Sequence, residues 1–135
     1  MYFDIDTAKA DETGKLILRV VLGLLVLLHG LAKVIGGVDG IVGLVQSYGL
    51  PGFVAYGVYL GEVVGPLLLI IGWYARIGAV LIVINMIFAL LLVHTGEFFM
   101  LNDNGGYQLE LQMMFLFSAI ACALMGPGRF CINRK

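Results

Sequence analysis

The chain has 135 residues, 61% of them hydrophobic and only 13% charged, with a net charge of −1. Soluble domains carry about 25% charged residues, and a domain this small leaves a large share of its surface exposed. With a mean hydropathy of +1.01, the chain has too much apolar surface for a water-soluble domain, and its near-neutral charge excludes a nucleic-acid partner. Lipid is the solvent that removes the conflict, and the length fits one domain over 1–135.

A membrane-crossing helix needs about 20 mostly apolar residues. Four stretches meet that length, at about 15–35, 52–72, 75–95 and 107–125. Backbone polar groups in hydrocarbon have to be satisfied internally, and no alternating barrel pattern is present. The expected fold class is therefore all-α, an integral membrane four-helix bundle. The polar, acidic start, Met1 to Thr13, lacks the basic start and small-residue cleavage site of a signal peptide, so the first apolar run is expected to be kept.

After the first stretch, Gly36-Gly37-Val38-Asp39-Gly40 breaks the helix, and Gly49-Leu50-Pro51 closes a segment too short to span. That segment reads as a short interfacial helix or re-entrant turn. Trp73-Tyr74 is a near-immediate reversal with aromatics suited to the membrane–water boundary. The third connection, Gly96 to Gly106, is polar and acidic.

Orientation follows from Lys and Arg. Lys9, Lys15, Arg19, Arg76, Arg129, Arg134 and Lys135 fall on one side and Lys33 alone on the other. Basic residues are retained in the cytoplasm, so both termini and the Trp73-Tyr74 turn are expected to face inward.

Small residues recur at helical spacing. Gly57, Gly61 and Gly65 form a stripe on the second stretch; Gly23, Gly30 and Gly37 recur along the first; Ser118, Cys122 and Gly126 line the fourth. Such stripes let helix backbones approach closely, within one chain or in a homodimer. Pro66 removes the hydrogen bond to the Glu62 carbonyl and is expected to kink the second helix.

Ionisable groups at membrane depth are costly and mark function or obligatory pairing. Glu62, mid-way along the second stretch, is the leading candidate, as a proton or hydrogen-bond site or as half of a buried ion pair. His29 and Lys33 are one turn apart on the first stretch. His94 ends the third and Glu110 begins the fourth. These five residues come from all four helices and lie between midplane and outer surface, which points to a polar cavity with His29, Lys33, His94 and Glu110 as ligand contacts. Lys33 also suits snorkelling to the outer interface. Arg19 and Arg76 read as anchors at the inner interface. Asn85 points away from the face shared by Arg76 and His94 and reads as an interhelical hydrogen bonder or a ligand contact. The histidines and carboxylates carry no recognised metal spacing, so no metal is expected. No phosphate loop, nucleophile elbow or dinucleotide fingerprint occurs, and Cys122 and Cys131 read as ordinary thiols.

Read in order, these pieces resemble the DoxX family of small bacterial membrane proteins. The resemblance rests on Arg19 through Gly23 to His29-Gly30 and Lys33, then Gly49-Leu50-Pro51, Glu62-Val63-Val64-Gly65, Gly72 with Arg76, Glu110, and Gly126-Pro127-Gly128-Arg129. It implies a four-helix fold in the bacterial or archaeal inner membrane and an association with redox chemistry, in some relatives as subunits of quinone-linked sulfur-compound oxidation and in others within oxidative-stress or thiol-redox complexes. Relatives often end in a Gly-Pro-Gly-x-x-Ser-Leu-Asp type motif, in which this chain has Cys131 for Ser and Asn133 for Asp. The function expected on this basis is an accessory or quinone-interacting subunit of a membrane redox system. It would hold no tightly bound cofactor, and a catalytic step would need a diffusible quinone or a soluble or membrane redox partner. The alternative is a small-molecule permease or a non-catalytic assembly factor.

Overall fold

A computed structural model describes residues 7–93 and 109–133. The described residues are helical, with no strand among them. Helix α1 (Thr7–Gly36) is 30 residues long, about 45 Å at 1.5 Å per residue. It begins eight residues before the apolar run. Lys15 Nζ lies 3.2 Å from Asp11 one turn earlier, a pairing that supports the polar first turns. Gly37, with φ at +80°, ends the helix, a left-handed turn that glycine adopts without strain.

The segment between the first two apolar stretches is a true helix, α2 (Asp39–Ser47), which packs on the 3₁₀ turn Gly52–Gly57. The second apolar stretch is helical over Gly52–Ile71. It is not uniform: the 3₁₀ turn leads into a π-turn at Leu60–Val64, and α3 (Gly65–Ile71) completes it. Pro66 thus follows a widened turn. A proline has no N–H to give to the residue four before it, and the π-turn is the local adjustment found there. Gly72, left-handed at φ +72°, caps α3 by donating to Leu68 and Leu69 carbonyls. Trp73 and Tyr74 then reverse the chain into α4 (Ala75–Val93), and α5 (Glu110–Met125) follows.

The main helix contacts are α4 with α5, α4 with α3, and α1 with α3, and α1 also meets α5. Leu22, Val26, Leu69, Ala79, Ile82, Met86, Phe115 and Ala119 form the buried core between them. Glycines set the closest approaches. A Cβ on Gly65 would lie 2.8 Å from the Gly78 carbonyl oxygen, and one on Gly78 would lie 2.6 Å from that of Gly65. The two backbones therefore touch. Gly61 meets Asn85 and Gly30 meets the Glu62 carbonyl in the same way. Gly57 has no such neighbour, so the close-packing stripe on the second helix uses Gly61 and Gly65 and stops there.

Large apolar side chains cover the exterior, among them Leu24, Leu28, Leu67, Ile77, Ile87, Leu91 and Phe117. Two helices, Thr7–Gly36 and Gly52–Ile71, are long and apolar enough to cross a membrane, and the apolar stretches of α4 and α5 are shorter.

Past α5 the chain folds back as a strap, 126–133, turned by Gly126 and Gly128 at φ +77° and +79°. Ile132 N–H donates to the Gly72 carbonyl at 3.1 Å, and Asn133 Oδ1 accepts from Tyr74 N–H at 2.9 Å. Cys131 Sγ donates to the Gly128 carbonyl at 3.1 Å. The cysteine and asparagine that replace Ser and Asp in the family pattern are thus both engaged in holding the strap.

Candidate functional site

Glu62 sits in the π-turn and is 4% exposed. Two helices converge on its side chain. From α1, Lys33 Nζ lies 2.7 Å from Oε1. From α4, Asn85 Nδ2 donates to Oε2 at 3.2 Å. Both carboxylate oxygens thus have a charged or amide donor, which a carboxylate removed from water requires. Tyr59 Oη donates to the Lys33 carbonyl at 3.2 Å, tying the end of α1 to the turn that carries Glu62. The small residues allow this geometry: with side chains at Gly30 and Gly61, α1 and α4 could not stand this close to Glu62.

The cluster supplies polar lining to a cavity of about 490 Å³, within the range of small-molecule sites. The remaining walls are apolar: Ile41, Leu44 and Val45 of α2, Val54 and Val58 before the π-turn, and Leu81, Ile84 and Phe88 of α4. π-turns inside helices occur frequently at functional sites.

The structure places the residues singled out from sequence as follows. Glu62 and Lys33 come together. His29, one turn before Lys33, is exposed and stands edge-on to the Phe115 ring at 5.6 Å between centroids; it does not line the cavity. Four residues advance a helix by 400°, so the two side chains leave α1 about 40° apart. Lys33 turns to the second helix and His29 to α5. Glu110 is exposed at the first turn of α5 and is likewise absent from the cavity walls. His94 lies outside the described residues, as does the connection Gly96 to Gly106. Among the described residues no group of His, Cys, Asp and Glu could hold a metal ion.

Arg19 corrects the sequence reading. It is not a snorkelling anchor but is 3% exposed, and its Nη1 donates to the Pro127 carbonyl at 2.8 Å. The C-terminal strap, which is invisible in hydropathy, covers it. Arg76 is exposed at the start of α4, its guanidinium against Gly126. Asn85 is the residue whose place at the site sequence left open. It hydrogen-bonds between helices and also lines the cavity. Its spacing from Gly78, seven residues or two turns along the face that meets Gly65, is the signal that points it at the second helix.

Residues 14–95 match the DoxX family. The chain belongs to the DoxX family. It is 35% identical over 118 residues to a Bacillus subtilis protein named "Putative oxidoreductase CatD", covering 87% of this chain and 83% of that one. It is also 35% identical over 121 residues to an uncharacterized Haemophilus influenzae protein, with 87% of each chain covered. No solved structure matches. The family match takes in Arg19, Lys33, Glu62 and Asn85, and ends before Glu110 and the strap.

Proposed function

We propose that this DoxX protein is a four-span helical bundle of the inner (cytoplasmic) membrane with both termini cytoplasmic. In this reading it is an accessory subunit of a membrane redox system that holds a quinone head group at Glu62, Lys33 and Asn85. The observation that carries the proposal is the Lys33–Glu62 pair, 2.7 Å apart, which with Asn85 lines a cavity whose remaining walls are apolar. A quinone has that same division, with carbonyl or hydroxyl oxygens at one end and hydrocarbon at the other. The name of CatD and the apolar exterior support the reading.

Each residue has a role that its chemistry allows. An ammonium has three N–H donors, so Lys33 can serve Glu62 and a quinone carbonyl together. The Asn85 amide carbonyl is an acceptor for a hydroquinone hydroxyl. Glu62, hydrogen-bonded at both oxygens, is the group to take one of the two protons released when a hydroquinone is oxidised, the second proton leaving with the two electrons to the redox partner. The electrons pass to a soluble or membrane partner, because the chain presents no fingerprint for a bound redox group.

The test is extraction of quinone from protein purified in native-lipid nanodiscs, for wild type and Glu62→Gln. Quinone enriched over bulk lipid in wild type and depleted in the variant is the expected result. Equal quinone in both, at the level of the surrounding lipid, overturns the reading and leaves the permease or assembly-factor alternatives.

A further inference from the structure

The cavity has a mouth, and its position says where a ligand comes from. Of the large apolar side chains that line the cavity, three are substantially exposed on the outside of the protein: Leu60 at 52%, Ile84 at 54% and Phe88 at 41%. They stand on facing helices and are all apolar. Ile84 is the midpoint of α4 (Ala75–Val93), and Leu60 is close to the midpoint of Gly52–Ile71. The mouth therefore opens sideways, half-way along both helices. α2 and the 3₁₀ turn contribute Ile41, Leu44 and Val54 to the cavity walls.

We infer that the cavity is loaded laterally from the bilayer, through a portal between Leu60 on the second helix and Ile84 and Phe88 on α4. Its ligand class is a membrane-dissolved lipophile with an oxygenated head, and its tail stays in the lipid. The inference rests on the reading that the chain spans the membrane and that the cavity is its ligand site. At mid-depth the portal faces hydrocarbon, where a polar solute from either aqueous side is strongly disfavoured. A lipophile pays no such penalty: it brings its head to Lys33, Glu62 and Asn85 and leaves its chain in the solvent from which it came. A permease site for water-soluble substrates would instead need a polar route to one face.

Access can be measured without any quinone. Ala89, one turn beyond Asn85, lines the cavity. Ala89→Cys is made in a Cys122→Ala/Cys131→Ser background and reconstituted in liposomes. It is then challenged with N-(1-pyrenyl)maleimide, which partitions into lipid, and with a disulfonated stilbene maleimide, which stays in water. The lipid-soluble reagent is expected to label the thiol, and Ile84→Trp, which plugs the mouth, to slow that labelling about tenfold. Ile87→Trp, another exposed α4 position that does not line the cavity, should leave the rate unchanged and shows that a new tryptophan does not itself unfold the helix. Rapid labelling by the water-soluble reagent, or a pyrenylmaleimide rate unaffected by Ile84→Trp, overturns the portal. Should lateral access hold while no quinone is retained in the extraction experiment, the quinone reading fails and the portal stands.

Discussion

Lys33 and Glu62, 29 residues apart in sequence, are joined by a 2.7 Å salt bridge in which the carboxylate is nearly fully buried and the ammonium partly so. Such a pair fixes the register of α1 against the second helix. Removing one partner of a buried pair leaves the other uncompensated, at a typical cost of about 3–5 kcal/mol, whereas replacing both with apolar groups is often near neutral. Lys33→Met is expected near the low end, about 3 kcal/mol, because Lys33 retains some exposure. The double variant Lys33→Met/Glu62→Leu should recover most of that loss and still bind no head group. Unfolding titrations in mixed micelles check both; a Lys33→Met protein as stable as wild type would show that the pair does not hold the helices together.

Two glycines of α1 should respond to alanine with opposite signs. At Gly30 the new Cβ would run into the Glu62 carbonyl and lie 2.9 Å from a Val63 methyl, whereas at Gly14 nothing stands within 4 Å. Gly30→Ala is expected to destabilise by about 1–3 kcal/mol through overpacking. Gly14→Ala should be neutral or stabilise by up to about 1 kcal/mol, because alanine is the better helix former. Thermal unfolding in detergent separates them, and equal midpoints for the two variants would remove Gly30 from the packing argument.

Arg19 holds the strap through Pro127, so Arg19→Met should loosen residues 126–133 while the helices remain. Limited trypsin digestion of the purified protein reads this directly as faster cleavage after Arg129. Digestion at the wild-type rate would mean that the contacts at Gly72 and Tyr74 retain the strap without Arg19.

The part of this architecture legible in sequence is what hydropathy and cost dictate. The four apolar stretches at 15–35, 52–72, 75–95 and 107–125 overlap helices α1, Gly52–Ile71, α4 and α5, and the short segment before Gly49 is helix α2. Glu62 stands out because a carboxylate amid apolar residues demands a partner. What sequence did not show depends on angles and long-range folding. Thr7 to Gly14 are helical through local charge pairing, which hydropathy does not register. Pro66 suggests a kink, and the chain before it instead widens into the π-turn that carries Glu62. A 40° offset between His29 and Lys33 sends them to different neighbours. The burial of Arg19 depends on the distant left-handed turns at Gly126 and Gly128.

The segregation of Lys and Arg makes topology testable. A reporter fused after Lys135 should be cytoplasmic, and a cysteine replacing Asp103 should react with an impermeant maleimide from the outer side. An outward C-terminus would reverse the orientation and put Lys33 at the inner end.

The central claim is that Glu62, Lys33 and Asn85, and not His29 or Glu110, form the head-group site. Its most direct test is equilibrium binding of decylubiquinol, kept reduced, to nanodisc-reconstituted protein, comparing Glu62→Gln, Lys33→Met and Asn85→Leu with His29→Ala and Glu110→Gln. Losing a hydrogen bond to or from a charged group costs about 1.5–3 kcal/mol, so the first two variants should weaken binding roughly 10- to 150-fold. Asn85→Leu should weaken it less, and the last two should bind as wild type does. Full affinity in Glu62→Gln, or loss confined to His29→Ala and Glu110→Gln, would contradict the account.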